Sequence, residues 1–135
     1  MLTTRLIHPE ILGALASLGH GSNIMIADGN YPFRTAVGAN ARVVYLNLTA
    51  GSPTVDHVLE VLQAVVPFEA AVLMRAPQPA PVQDRYRSML GEQVPVELVE
   101  RLEFYERVRS PETGLVIATG EERIYANLLL TIGVV

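Results

Sequence analysis

Apolar residues recur every three or four positions in several stretches of this chain, which is the spacing of an amphipathic helix. Pro9 suits a first helical turn and Gly19 suits a helix C-cap, so we predict a first helix over residues 6–18. A second helix is predicted to open at Ser52-Pro53, where a capping residue precedes a proline. Two further helices are predicted over residues 83–90 and from about residue 102.

Short apolar runs bounded by turn residues separate these helices, and such runs are typical of buried strands. The long apolar run at residues 125–135 is predicted to be buried as well, as a strand in the sheet or at an interface. Because strands and helices alternate, we predict one α/β domain over residues 1–135, with a mostly parallel or mixed sheet flanked by helices. The other predicted strands cover residues 23–27, 42–48, 70–74, 95–100 and 114–119.

Residues 19–32 hold the most distinctive pattern, a histidine between two glycines, then an apolar run, then an aspartate before a Gly-Asn turn. Chemistry in α/β sheets tends to lie at the carboxyl ends of strands, so Asp28 is predicted to stand at a strand mouth. His20 precedes the same strand. A strand of about 5 residues spans roughly 17 Å, so His20 and Asp28 share a site only if the loop before the strand folds back.

The composition predicts an unusually apolar protein, since 50% of residues are hydrophobic and only 18% are charged, against about 25% in typical domains. A large core or a subunit interface would hide this apolar surface, and we expect self-association. No apolar run reaches the roughly 18 residues of a membrane helix, and the N-terminal residues lack the apolar core of a signal peptide. We therefore expect a soluble, cytoplasmic protein without a membrane partner.

Several kinds of chemistry are not expected from the residues present. The net charge is −4 and the basic residues are scattered, so the sequence shows no basic patch of the kind that binds nucleic acid. Cysteine is absent, which excludes disulfides and thiolate nucleophiles, and none of the three histidines has a metal-ligand partner at helical spacing. No Walker loop and no nucleophile elbow is present. General acid/base chemistry without a metal fits best.

Five side chains are candidates for such chemistry. His20 is a candidate because histidine as a residue type exchanges protons readily near neutral pH. Asp28 lies at the strand mouth and Arg101 at a strand-to-helix junction. Tyr125 and Asn127 occupy alternate positions and would face the same side of a strand. A carboxylate, a guanidinium, a phenol and an amide form a hydrogen-bonding set for a polyhydroxylated ligand.

Purely structural interpretations remain open for the same residues. His20 could be a helix-terminus residue favoured by the helix dipole. Asp28 could cap a turn, Tyr125 could be a core residue, and Arg101 could pair with Glu97 or with Glu100. Asp56 and His57 would lie on the solvated face of the second helix. The proline-rich stretch 75–81 is predicted to be a loop that covers something.

A set of short motifs is spread over most of the chain, and their order and spacing are distinctive. The motifs are Ile7-His8-Pro9-Glu10-Ile11-Leu12, Gly19-His20-Gly21, Ala27-Asp28, Tyr31-Pro32, residues 59–67, Arg101, Phe104-Tyr105-Glu106-Arg107, Thr119-Gly120-Glu121, Tyr125-Ala126-Asn127 and Gly133-Val134. Through this order and spacing the sequence resembles the ribose pyranase / L-fucose mutarotase family. The resemblance implies a ribose pyranase-like fold and an isomerase that interconverts the anomers, or the ring forms, of a free monosaccharide without a cofactor.

The resemblance also implies roles for individual residues. His20 matches the family's catalytic histidine, taken as the proton donor. Members form homo-oligomers, often rings of ten, with sites near subunit contacts. The positions that match sugar-contacting residues are Asp28, Arg101, Tyr125 and Asn127, with Ala126 contributing backbone and Tyr105 as a further pocket member.

Two branches of the family differ at one position. Arg101 and the segment Phe104-Tyr105-Glu106-Arg107 resemble the fucose branch, whereas the ribose branch carries histidine at position 101. Gly29-Asn30 and the proline-rich stretch 75–81 depart from the fucose branch, so the sugar stays open between L-fucose, D-ribose and a related sugar. The alternatives to an L-fucose mutarotase are a D-ribose pyranase and a non-catalytic sugar-binding protein linked to uptake.

Overall fold

Four helices and six strands alternate along residues 1–135, all of which are described by the structure, a computed structural model. None of the four helices is both long and apolar enough to cross a membrane. The helices are α1 (Pro9–Ser17), α2 (Val55–Gln63), α3 (Pro81–Leu90) and α4 (Arg101–Val108). The strands are β1 (Asn23–Ala27), β2 (Arg42–Tyr45), β3 (Phe68–Met74), β4 (Val96–Val99), β5 (Thr113–Ala118) and β6 (Leu128–Ile132).

The six strands form one mixed sheet in the order β2-β5-β1-β6-β3-β4. Five strands run parallel, and β6 runs antiparallel between β1 and β3. The carboxyl ends of β1 to β5 and the amino end of β6 therefore meet at one edge, here called the carboxyl edge. The opposite edge, here called the amino edge, holds the amino ends of β1 to β5 and the carboxyl end of β6. The predicted single α/β domain with a mixed sheet is confirmed.

The core has two layers because successive residues of a buried strand point to opposite faces of the sheet. Ile24 and Ile26 of β1 pack in a cluster with buried residues of α1, α2 and α3. Met25 and Ala27 pack on the other face with α4 and with the loop over residues 29–41. This near-continuous apolar pattern is what a strand covered on both faces requires. The apolar excess in the sequence is thus partly explained by a core on each side of the sheet.

Three predicted helix starts need correction, and the smallest change is at α3, which begins at Pro81 rather than at residue 83. The first helix spans Pro9–Ser17 rather than residues 6–18, and the side chain of His8 caps it by accepting a hydrogen bond from the backbone N–H of Ile11 at 3.4 Å. The second helix is capped by Thr54 and not by Ser52, since the Thr54 hydroxyl accepts from the backbone N–H of His57 at 3.3 Å. The strand β1 has the bounds that were predicted.

The prediction of a strand over residues 125–135 is wrong in its first part. β6 covers Leu128–Ile132 only, and Tyr125 has φ of 57°, in the left-handed region that strands do not adopt. Tyr125 and Asn127 therefore do not face one side of a strand. Both lie in the irregular segment of residues 119–127 that joins β5 to β6 at the carboxyl edge.

Candidate functional site

A cavity of about 450 Å³ opens at the carboxyl edge of the sheet, and we call it the site cavity. Four segments that are distant in sequence line it: the end of β1, the end of β3, the first turns of α4 and the segment before β6. Five of the seven predicted site residues lie in its wall, and the sequence analysis gave no site role to the other four lining residues. The lining residues are Asp28, Asn30, Tyr31, Met74, Arg101, Tyr105, Ile124, Tyr125 and Asn127.

Asp28 and Asn127 form a reciprocal pair at the floor of the site cavity. The Asp28 backbone N–H donates to Asn127 Oδ1 at 2.9 Å, and Asn127 Nδ2 donates to Asp28 Oδ2 at 2.9 Å. Asp28 Oδ1 also accepts from the backbone N–H of Asn30 at 3.0 Å, so the turn-capping interpretation is correct as well. Asp28 is only 3% exposed. Burial raises the pKa of its carboxyl, and the hydrogen bonds from backbone N–H groups offset only part of that rise.

Arg101 is the first residue of α4 and leaves its guanidinium unpaired at the cavity. The alternative partners are occupied elsewhere. Glu97 accepts hydrogen bonds from Arg107, and Glu100 accepts one from Arg75 at 2.9 Å. An unpaired guanidinium keeps all its N–H donors available for a ligand, and hydroxyl or ring oxygens of a polyol are suitable acceptors.

Tyr105 follows Arg101 by one helical turn, so both side chains lie on the same face of α4. Its ring packs edge-on against Tyr31, with 5.2 Å between ring centroids. The Tyr31 hydroxyl donates to the carbonyl of Ala36 at 2.6 Å, which fixes the ring in the wall. The two tyrosines give the site cavity an aromatic side opposite its polar floor.

The segment of residues 119–127 carries the remaining part of the site. Ile124 is 69% exposed and shares the rim of the site cavity with Tyr125. Ala126, between Tyr125 and Asn127, is fully buried and does not line the site cavity. Ile124 and Met74 were missed because apolar residues carry no signal of binding in a sequence; Tyr31 belonged to a quoted motif but was given no role.

A cluster of four charged side chains fastens this segment to the start of α2. Arg123 donates to both oxygens of buried Glu121, at 2.8 and 2.6 Å, and to Asp56 at 2.6 Å. Asp56 also pairs with Arg85 of α3 at 2.6 Å, and Glu121 accepts from the backbone N–H of Val55 at 3.1 Å.

The prediction that Asp56 lies on a solvated helix face is therefore wrong. Its side chain is 14% exposed and is held between two arginines. Burial alone would raise the pKa of Asp56, but the hydrogen bonds from Arg123 and Arg85 prevail and bring it down to about 2.

His20 does not lie at the site cavity. It stands at the amino edge, in the turn between α1 and β1, and its Nε2 is 3.0 Å from both carboxylate oxygens of Glu69. The full length of β1 separates it from Asp28, so the loop before the strand does not fold back. The groove beside His20 is mostly apolar and is lined also by Leu15, Leu18, Val65, Val66, Pro67, Ile132, Val134 and Val135.

The proline-rich loop lines a second cavity of about 780 Å³. Residues 76–82 form one side, and Arg123, Ile124 and Tyr125 form the other. Ile124 and Tyr125 thus separate this cavity from the site cavity. The predicted loop is present, and it covers the outer side of the segment that carries Tyr125.

Comparison with known proteins gives consistent matches over the whole chain. The model of the RbsD / FucU transport protein family matches residues 1–135. Human fucose mutarotase is 33% identical over 96% of this chain and 90% of its own length. The D-ribose pyranase of Corynebacterium glutamicum is 32% identical over 99% of this chain and 98% of its own length. Bacillus subtilis RbsD, solved in complex with D-ribose, superposes with a TM-score of 0.85 at 25% identity, covering 100% of this chain and 99% of that one.

Proposed function

This chain belongs to the RbsD / FucU family, and we propose on that basis that it is a monosaccharide mutarotase, an isomerase that interconverts the anomers of a free sugar. Relatives named fucose mutarotase and D-ribose pyranase support the reaction type. The observation that carries the proposal is the site cavity itself, which is lined by a buried carboxylate, an unpaired guanidinium, two amides and three phenols.

The reaction needs proton transfer and orientation only. A base takes the proton of the anomeric hydroxyl while an acid gives a proton to the ring oxygen, and the bond between the anomeric carbon and the ring oxygen breaks. The open aldehyde rotates and closes on its other face by the reverse proton movements. General acid/base catalysis contributes typically 10² to 10⁴-fold, which suffices for a reaction that already proceeds slowly in water.

The site residues divide naturally between accepting and donating hydrogen bonds. Asp28 accepts from sugar hydroxyls, and Arg101 donates to hydroxyl or ring oxygens. Asn127 orients Asp28 and has one amide hydrogen left for the sugar, since a single N–H of its amide group is used on the carboxylate. Tyr125 orients the sugar or relays a proton, Tyr105 forms the wall, and the backbone of Ala126 completes the binding set.

His20 can supply the proton only in an oligomer, because it lies a full strand away from Asp28 in its own chain. We propose that the amino edge of a second copy, with its His20, meets the carboxyl edge of the first. Both edges expose large apolar side chains, Val65 and Val134 near His20 and Leu102 and Ile124 near the site cavity. A contact between two different surfaces repeats from copy to copy, and it forms a ring when the rotation between successive copies closes. A ring of ten and a cytoplasmic location stay predictions.

L-fucose is the sugar that we propose, with D-ribose as the second candidate. The arginine at position 101 matches the residue found in the fucose branch, and the similarity of the chain to human fucose mutarotase supports the same sugar. The D-ribose pyranase relative and the D-ribose complex of RbsD support the second candidate. Activity on one sugar does not exclude activity on the other.

The decisive experiment is NMR exchange spectroscopy of anomer interconversion with L-fucose and with D-ribose. We expect faster exchange with the wild-type protein, and loss of that acceleration in His20→Ala. The variant His57→Ala, which removes an exposed histidine of α2 outside the site, is the matched control and should stay active. Full activity of His20→Ala would refute the assigned proton donor. Sugar binding without acceleration on either sugar would instead establish a binding protein.

A further inference from the structure

Two polar side chains on the buried face of α3 have no role in the site described so far. The buried residues of this helix are Val82, Gln83, Tyr86 and Leu90. Tyr86 is fully buried and Gln83 is 5% exposed, and neither lines the site cavity. Burying a polar group is unfavourable unless it is hydrogen-bonded, so the partners of these two side chains show what the helix holds.

Both side chains hold backbone carbonyls of the segment that carries the site. Gln83 Nε2 donates to the carbonyl of Met74 at 2.8 Å and to the carbonyl of Tyr125 at 3.0 Å. The Tyr86 hydroxyl donates to the carbonyl of Ala126 at 2.8 Å. One amide group therefore joins two segments that line the cavity, the end of β3 and the segment before β6. Two consecutive carbonyls of that second segment are fixed from α3.

The segment needs such support because its backbone is in an unfavourable conformation. Tyr125 has φ of 57°, which is uncommon for a residue with a large side chain and persists only where the surroundings over-determine it. No helix or strand includes residues 119–127, and backbone-to-backbone hydrogen bonds hold only residues 119–121 of this segment. The direction of the Tyr125 ring depends on this φ, and the Asn127 amide that orients Asp28 follows two residues later.

On these contacts, and on the mutarotase function proposed above, we propose that Gln83 and Tyr86 are positioning residues of the reaction. They fix the carbonyls of Tyr125 and Ala126 from behind the cavity wall, and thereby aim Tyr125 into the site and Asn127 at Asp28. They touch no substrate. Their effect reaches the reaction through the geometry of two residues that do line the site.

The test uses Tyr86→Phe, which removes one hydroxyl and keeps the buried ring, and Gln83→Met, which keeps approximate volume and removes the amide. In both variants the side chains of Tyr125 and Asn127 are still present, but they adopt the productive orientation in the site cavity less often. We therefore expect kcat for anomer exchange to fall by about tenfold, with KM changed by less than about threefold, because small misplacements of reacting groups are costly. Rates are expressed per folded molecule, with the folded fraction taken from an unfolding curve.

Gln63→Met is the matched control. Gln63 Nε2 also donates to a backbone carbonyl, that of Met89 at 2.9 Å, and so anchors the far end of α3 away from the site. We expect its kcat and KM to stay at the wild-type values. A purely structural role for Gln83 and Tyr86 would lower the melting temperature of their variants and leave kcat and KM unchanged, and this result would overturn the proposal.

Amide hydrogen exchange gives a readout that does not depend on activity. Backbone exchange at residues 124–127 should be faster in Tyr86→Phe and Gln83→Met than in the wild type and in Gln63→Met. The proposed mutarotase function fails if the wild type accelerates anomer interconversion of neither L-fucose nor D-ribose. The positioning role is overturned separately if amide hydrogen exchange at residues 124–127 is the same in the variants as in the wild type. Tyr86→Phe decides the question should Gln83→Met not fold.

Discussion

Burial of Asp28 has opposite consequences for binding and for folding. Its desolvated oxygens are strong acceptors for the hydroxyls of a ligand that enters the site cavity. At the same time burial raises the pKa of the carboxyl above its usual value of 3.8, so the folded chain binds this proton more tightly than the unfolded chain. The stability from this group is therefore complete below the unfolded pKa and is lost as the pH rises through the folded pKa.

The variant Asp28→Asn tests both consequences. We expect the free energy of unfolding of the wild type, measured relative to the variant, to decrease as the pH rises from about 4 to about 7, because only the wild type loses the proton. Sugar affinity at neutral pH should weaken by about tenfold or more, since a hydrogen bond to a charged group is lost. Denaturant unfolding at several pH values and an NMR titration measure the two effects. Normal affinity and normal turnover would show that Asp28 does not bind the sugar.

Arg101 differs from its neighbours on α4 because its guanidinium has no partner. We expect Arg101→Met to raise KM for the sugar by about tenfold and to leave the melting temperature unchanged, since only a ligand contact is removed. Arg107→Met is the control on the same helix, because Arg107 pairs with Glu97 and Glu103 outside the cavity. Equal KM values for the two variants would refute the role of Arg101.

The segment of residues 119–127 is an irregular element that is fastened at both ends. Near β5, Arg123 joins buried Glu121 to Asp56 of α2. Near β6, α3 holds two carbonyls and Asn127 holds Asp28. Hydrogen bonds behind a site hold its side chains in a fixed geometry, and an irregular segment needs them more than a helix or a strand does.

Removing the positive charge of Arg123, which lies between the carboxylates of Glu121 and Asp56, should destabilise the fold. We expect Arg123→Gln to lower the free energy of unfolding at pH 7 by about 2 kcal/mol, less than for a fully buried pair because the guanidinium is partly exposed. Because the pKa of Asp56 is lowered to about 2, its contribution is present above its usual pKa of 3.8 and is lost as the pH falls. The loss in Arg123→Gln should therefore be smaller at pH 3 than at pH 7.

A surface pair provides the comparison for this measurement. Arg5 pairs with Glu60 at 2.8 Å, and both side chains are more than half exposed. Arg5→Gln should change stability little at either pH, because exposed ion pairs contribute little. If Arg123→Gln were as mild as Arg5→Gln, the cluster would not hold the segment.

In the whole molecule, the sheet separates His20 from Asp28 by placing them at opposite edges. A site that uses both residues must combine two copies, and complementation tests this directly. Measured below saturating sugar, His20→Ala should be nearly inactive alone, and Asp28→Asn should keep about a tenth of the wild-type rate or less because its sugar affinity is weaker. After the two variants are unfolded, mixed equally and refolded, about a quarter of the contacts between copies would join an intact His20 to an intact Asp28. We expect about a quarter of the wild-type anomer-exchange activity.

The outcome of this mixing is unambiguous. A mixture no more active than the average of the two variants measured separately would refute a site shared between two copies. Sedimentation of the wild-type protein shows in parallel whether the chain assembles at all. A monomer that accelerates anomer exchange would refute the composite site.

Local patterns were read correctly where short-range physics decides the structure. The apolar run of β1 between turn residues can only be buried, so its bounds were predictable. The stretch over residues 95–108 was predicted correctly as a strand followed by a helix, since an alternating apolar spacing is followed by a helical one. Asp28 was placed at a strand mouth because a polar residue directly after a buried strand has to lie at the sheet edge.

Contacts between residues distant in sequence decided which side chains meet and in which direction β6 runs. The side chains of Asp56 and Arg123 are 67 positions apart and Asp28 and Asn127 are 99 apart, and no spacing rule connects such residues. The direction of β6 was equally hidden, because strand direction depends on which neighbours pair and not on composition. Sequence patterns thus determined the α/β class and the chemical types of the candidate residues. Only tertiary packing decided which of those residues meet at the carboxyl edge, because that meeting depends on strand order and direction.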